Sequence, residues 1–222
     1  MTSFRKNAYA YVVWSRLRAE TAARGIVLIF DEVVTGFRVS PGGAQELFGV
    51  RPDLTALGKI VAGGLPGGAL AGCTEIMERI DFAASAEAGA EESSHQGTFN
   101  ANPVSAAAGI AALRLIGDSD ACARANDFAG QLRRRMNEVL AQHSVPWAVY
   151  GDYSGFHLFA NSGKREIDPL NFDAGAIDPD ELIRAKPELL SSLRLAMLLG
   201  GVDLTPRFSG WTSAAHGPDE ME

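Results

Sequence analysis

Apolar and polar positions along this chain follow two periods, and the switches between them outline its elements. Residues 11–24 interleave Val12, Val13, Leu17 and Ala22-Ala23 with Arg16, Arg18, Glu20 and Arg24. That spacing predicts a helix with Gly25 at its C′ position. The continuous run IVLIF at 26–30 predicts a strand buried on both faces, with Asp31 emerging where a parallel strand ends. Ligands of open α/β sheets bind at that edge. Gly36 and Pro41-Gly42-Gly43 mark turns, a short helix is expected over 44–48, and Arg51-Pro52-Asp53 breaks the chain again. A weaker segment, DLTALG at 53–58, then leads into Lys59, which Gly58 and Ile60-Val61-Ala62 flank with small and apolar residues. The string GGLPGG at 63–68 forces an irregular connection into a small-residue strand at 69–73. Thr74 is expected to cap a short helix carrying Glu75 and Glu78 in its first turn.

The stretch AASAEAGAEESSHQ at 83–96 is small and polar and reads as a loop. Asn102-Pro103 reopens regular structure, because Asn caps helices and Pro suits the first helical position. The helix that follows, VSAAAGIAALRLI, is apolar on nearly every side and is therefore expected to be buried, packed through its alanines against a sheet or another subunit. At GDSD, 117–120, the composition shifts to amphipathic helices, which sets a domain boundary between 1–117 and 118–222. Residues 121–143 carry Leu132, Met136, Val139 and Leu140 on one stripe, with Arg133, Arg134, Arg135 and Glu138 mostly away from it. Strands are expected at 147–150 and 156–159. A helix-rich region follows Pro179, with a strong helix at 189–199 ended by Gly200-Gly201, and final strands are expected at 202–204 and 213–216.

With 222 residues, 46% apolar and 21% charged, the chain is of ordinary globular composition. Its net charge of −7 and the lack of a basic block argue against nucleic acid and anionic membranes as partners and favour small-molecule chemistry. Cys73 and Cys122 lack metal-ligand spacing and a disulfide framework, which points to a reducing compartment. No apolar run approaches a membrane span, and the start MTSFRKNAYAYVVWSRLR lacks a signal-peptide core, so a cytoplasmic location is expected.

An acid at a strand end and a lysine in apolar surroundings twenty-eight residues later fit pyridoxal 5′-phosphate. That cofactor needs an amine, Lys59, to hold its aldehyde as a Schiff base, and a carboxylate, Asp31, to keep its ring nitrogen protonated. The anion raises the pKa of the ring nitrogen and maintains the electron sink for a carbanion at the substrate Cα. Freed by substrate, the Lys59 amine can move the proton as general base and acid. Taken singly, Asp31 reads as a turn or capping acid, Lys59 as a surface lysine, Thr98 as a cap, and the glycine string as a sterically required turn. His95, His143, His157 and His216 share no spacing, so no metal site is expected. A dinucleotide-dependent dehydrogenase is disfavoured, because no glycine fingerprint opens a helix after the 26–30 strand.

The segments LIFDEVVTGFR, PDLTALGKIVAGGLPGGALAG and QGTFNANPVSAAAGIAAL, in that order, resemble the class III (ornithine/GABA-type, subgroup II) aminotransferases of fold type I. The segment FRVSPGGAQELFGVRPDLTALGKIVAGGLPGGA looks most like the glutamate-1-semialdehyde 2,1-aminomutase branch, which Val34 also favours. The likeness extends from about Leu17 to the closing GVDLTPRFSGWTSAAHGPDEME. It implies an α/β chain: a partial cofactor-binding large domain with a mixed, mostly parallel sheet, then an α+β C-terminal small domain. By the same resemblance Lys59 is the Schiff-base lysine and Asp31 the acid at the ring nitrogen. Val33 packs on one ring face, and Thr98 reaches across a homodimer interface to the neighbour's cofactor phosphate.

Family members are roughly twice this length, and the N-terminal half they carry supplies the phosphate cup and the aromatic ring stacked on the cofactor. Gly63-Gly64 and Gly67-Gly68, interrupted by Pro66, make a poor substitute. The chain is therefore expected to be a partial member: a fragment, a split gene product or a truncated frame. Two readings stay open, an aminotransferase or aminomutase acting on a small amino acid or amine as a homodimer, with a separate N-terminal half, and a catalytically silent remnant or interaction module.

Overall fold

Leu28 and Phe30 alternate with Ile29 and Asp31, and that period of two decides how the first strand is used. In the computed structural model, which describes residues 2–91, 93–183 and 187–221, helix α1 (Thr2–Ala23) precedes strand β1 (Ile29–Glu32). Leu28 and Phe30 are buried with Val50, and Trp14 and Phe48 pack against them, the Trp14 and Phe30 rings meeting edge-on at 5.3 Å. Ile29, in contrast, is 57% exposed. The expected burial on both faces is thus corrected to burial on one, and the strand begins three residues later than expected, so that Asp31 lies within it.

The chain divides into two units, residues 1–122 and 123–222. In the first, helix α2 (Gly43–Phe48) leads to β2 (Leu54–Gly58), which pairs parallel with β1 from Ile29↔Leu54 to Glu32↔Leu57. A 3-10 turn, Lys59–Ala62, separates β2 from β3 (Gly68–Gly72), which returns antiparallel to β2. The sheet is therefore mixed, in the order β1-β2-β3.

Helix α3 (Thr74–Met77) takes Cys73, not Thr74, as its N-cap, because the amides of Ile76 and Met77 donate to the Cys73 carbonyl and no hydroxyl is used. The expected loop at 83–96 begins instead with a helix, α4 (Phe82–Glu87). Asp81 caps it through the Ala83 and Ala84 amides, and the alanines after it are good helix formers.

Helix α5 (Pro103–Asp118) starts where the sequence predicts it, with the Asn102 side chain accepting from Val104 and Ser105. Within the single chain its burial is one-sided, which leaves the other face for the sheet or second subunit that the sequence reading allows. Val104, Ile110 and Leu115 are more than half exposed, and the buried residue of the helix is Gly109.

The second unit packs α6 (Ala121–Gln142) and α8 (Pro187–Leu199) against an antiparallel sheet of β4 (Ala148–Tyr150), β5 (Gly155–Phe159) and β6 (Ser209–Trp211). A short helix, α7 (Pro179–Ile183), lies between β5 and α8 in the chain. Leu132, Met136 and Leu140 join the core of Val149, Phe156, Leu204 and Phe208. Val139 does not, being 53% exposed, and Arg133 turns inward to donate to the carbonyls of Tyr153 and Gly155. The strands expected at 202–204 and 213–216 are absent from the described structure. Leu204 enters the core from an irregular segment, and Ser213 and His216 close a turn on one another. Strand β6 forms between them, where Gly210 leaves room for the Phe156 ring.

Helix α5 reaches the turn after β2 through its glycine: a Cβ at Gly109 would stand 2.6 Å from the Val61 carbonyl oxygen, whereas Gly117 faces open space. Gly109→Ala should cost about 1–3 kcal/mol, and Gly117→Ala should be neutral or stabilising by up to about 1 kcal/mol. Denaturant unfolding followed by circular dichroism reads both, and equal effects would contradict this packing.

Candidate functional site

Parallel pairing places Asp31 of β1 beside Ala56 of β2. Lys59 follows three residues after Ala56, about 10 Å farther along the strand direction. Asp31, near the end of β1, and Lys59, just past the end of β2, therefore lie toward the same carboxyl-terminal edge of the strand pair. Lys59 opens the 3-10 turn with φ of 50°, a left-handed conformation uncommon outside glycine, and is exposed. Val33 lies between them. A Cβ at Gly58 would stand 3.2 Å from Val33 Cγ1, so the small residue before the lysine lets the valine side chain sit close to that strand end.

Hydrogen-bond capacity separates the two neighbouring acids of β1. Asp31 is exposed, and its Oδ1 accepts from the Val33 amide at 3.0 Å. Glu32, on the opposite face of the same strand, is 1% exposed. Its Oε2 accepts from Thr35 Oγ1 (3.0 Å) and the Ala44 amide (2.6 Å), and its Oε1 from the amide (3.0 Å) and side chain (3.3 Å) of Gln45. A carboxylate accepts about four such bonds, so Glu32 is saturated while Asp31 keeps most of its capacity. Sequence reading missed Glu32. The available signal was an acid on the inward phase of β1, followed by Gly42-Gly43 at the start of a short helix.

Asp53 secures the other end of the strand pair. Its Oδ2 accepts from the Leu28 amide at 2.7 Å and meets Arg18 at 2.8 Å, while its own amide donates to the Leu28 carbonyl. The Leu28 amide first, and Arg18 second, hold its carboxyl below the usual aspartate range.

The glycine turn after Lys59 is a packed connection. Gly63 has φ of 61°, and a Cβ there would overlap the Ala108 carbonyl of α5, while Ser105 Oγ donates to the Pro66 carbonyl at 2.8 Å. The Gly63 and Leu65 amides donate within the turn, to Ile60 and Ala62. Those donors are committed, and Pro66 has none, so this turn is a poor cradle for an anion. Thr98 is exposed in a turn closed by the Asn100 amide on the Gly97 carbonyl. Among the described residues no hydrogen bond or ion pair joins it to Asp31, Val33 or Lys59.

A cleft of about 440 Å³ opens on the Glu32 side, lined by residues that include Phe37, Gln45, Arg51 and Leu57. Asp31, Val33 and Lys59 do not line it. Among the described residues no group of His, Cys, Asp and Glu could hold a metal ion, and no helix is long and apolar enough to cross a membrane.

The sequence model of the aminotransferase class-III family matches residues 7–160. A glutamate-1-semialdehyde 2,1-aminomutase of Methanosarcina acetivorans is 39% identical over 208 residues, 93% of this chain and 45% of its own length. Among solved structures, an omega-transaminase from Sphaerobacter thermophilus superposes with a TM-score of 0.73 at 36% identity, over 95% of this chain and 45% of that one. A transaminase with PLP bound superposes with a TM-score of 0.72 at 30% identity, over 94% and 44%. The fold is thus that of part of a fold type I transaminase, and the chain spans about 45% of the length of the curated relatives it matches.

Because Asp53 is held ionised by folding, the stability it confers is present above the ordinary aspartate pKa and is lost as pH falls through its depressed folded value. Asp53→Asn should lower the thermal midpoint near neutral pH, and the gap from the parent should close as the pH is taken down to about 3. A gap that stays constant across that range would show that the carboxylate charge is irrelevant at this position.

Proposed function

Because the chain belongs to the class-III aminotransferase family, we propose that it carries the acid-and-lysine half of a pyridoxal-5′-phosphate site in an aminotransferase or aminomutase of the glutamate-1-semialdehyde 2,1-aminomutase type. The observation that carries this reading is the parallel register, which brings Asp31, Val33 and Lys59 to one edge of adjacent strands. When bound, the cofactor supplies an electrophilic aldehyde and a pyridinium ring that withdraws charge from the substrate Cα. Asp31 fits its ring nitrogen, since most of its accepting capacity is unused and it lies on the open face of β1. Val33 offers an apolar β-branched surface to the ring beside Gly58. Lys59 would hold the aldehyde, and its free amine would move the proton at the substrate Cα as general base and general acid.

Thr98 completes the set as a hydroxyl donor to the phosphate of a neighbouring subunit's cofactor, which makes the working form a homodimer. The substrate is a small amino acid or amine, and the location is cytoplasmic. Residues 1–117 act as the partial cofactor-binding domain and 118–222 as the small domain. The phosphate cup belongs to the N-terminal half that the family's longer members carry, which this chain does not span.

A second reading, a catalytically silent or interaction module from the same family, is favoured by one observation: the Gly63 and Leu65 amides are already donated within their turn.

Purified chain incubated with pyridoxal phosphate and reduced with borohydride should carry a pyridoxyl label on Lys59 by peptide mapping, lost in Lys59→Ala. Asp31→Asn should keep the label and slow amino-group transfer, assayed with an N-terminal half in trans, by about 100-fold. No label, with or without that half, would leave the silent reading.

A further inference from the structure

Asp31 and Lys59 must keep a fixed relation to serve one ring, yet Asp31 is exposed and bonded by a single local amide. The stiffness at that strand end comes from the other face. Glu32 closes the turn that follows β1 twice: its carbonyl accepts from the Gly36 amide at 2.9 Å, and its carboxylate takes the Thr35 hydroxyl. The same carboxylate is anchored in turn by the Ala44 and Gln45 amides at the start of α2. Close packing enforces the arrangement. A Cβ at Gly36 would stand 2.7 Å from the Glu32 carbonyl oxygen and 2.8 Å from Leu57 Cδ2, and one at Gly43, where φ is 72°, would overlap the Glu32 carboxylate. Val33 is the first residue of this turn. Its amide orients the Asp31 carboxylate and its side chain covers Gly58, next to Lys59.

We propose that Glu32 is the positioning residue of this edge: its buried carboxylate ties the Val33–Gly36 turn to α2 and thereby sets Asp31 and Val33 relative to Lys59. The proposal rests on reading Asp31 and Lys59 as the cofactor pair. Chemistry makes the carboxylate specific. All four groups facing its two oxygens donate, so a glutamine turned either way points its own N–H₂ at donors, and the shorter aspartate cannot reach both α2 amides.

The test compares the 222-residue chain with Glu32→Gln, Glu32→Asp and Gly49→Ala. The last strains the far end of α2, where Gly49 has φ of 60°, without touching the Glu32 bonds. Two readouts are taken at matched distance below each thermal midpoint: amide hydrogen exchange at Val33 without cofactor, and borohydride-fixed pyridoxyl label on Lys59 with it. Glu32→Gln should speed Val33 exchange about ten-fold and cut the rate of labelling by a similar factor, with Glu32→Asp intermediate and Gly49→Ala at the parent's values for both. If Glu32→Gln does not fold, Thr35→Val, which removes one donor, carries the same comparison. Unchanged Val33 exchange in Glu32→Gln, or equal losses in Gly49→Ala, would overturn the proposal. A parent chain that never labels at Lys59 would overturn the cofactor reading instead, and the exchange at Val33 would still decide the role of Glu32.

Discussion

Everything at the candidate site depends on the parallel register of β1 against β2. Parallel strands run their carboxyl ends to the same edge, and only that arrangement lets an acid late in one strand and a lysine just past the next share a ligand. An antiparallel pairing would send Lys59 to the opposite end from Asp31. The register itself is set at the other end, where Asp53 and Leu28 exchange bonds between side chain and backbone and Arg18 completes the ion pair. A slip of one residue would turn every side chain of β1 to the wrong face, burying Asp31 and exposing Glu32.

The lysine end is built differently, by close approach and with little hydrogen bonding. Gly63, Gly67 and Gly109 occupy positions where a Cβ would meet a backbone carbonyl or a neighbouring Cβ. The turn that carries Lys59 therefore sits directly against α5. Small residues here permit backbone contact, which is why the glycine string is a matter of packing, with the Gly63 amide donated within the turn. An anion needs free N–H groups, and here the Gly63 and Leu65 amides are already taken and Pro66 has none.

Elements with a single dominant local signal were legible in the sequence. Asn102-Pro103 starting α5, Gly25 ending α1 and the small-residue strand β3 all rest on caps, turns and runs a few residues long. Where the pattern is apolar throughout, as in the run at 26–30 and the alanine-rich helix, composition alone does not say which face this chain itself covers: Ile29 and Ile110 are open while Leu28 and Gly109 are not. The last strand was misplaced because Gly210 serves the Phe156 ring, a contact more than fifty residues apart in sequence. Asp31 and Lys59 were visible as chemistry, whereas Glu32 was not, since its four donors come from a turn and from a helix twelve residues on.

The adjacency of Asp31 and Glu32 shows how one strand puts two identical chemistries in opposite settings. Pleating sends neighbouring side chains to opposite faces, and a carboxylate on the buried face is tolerable only when its oxygens are fully bonded. Glu32 meets that demand with donors to both oxygens and has nothing left for a ligand. Asp31 faces outward, where water can satisfy it, so folding places no such demand and its capacity stays available. A group that binds must be the one the fold does not consume, and a group that positions must be the one it does. Exchanging the two residues would keep the composition of the strand and disrupt both proposed roles, because burial, and not carboxylate chemistry, separates them.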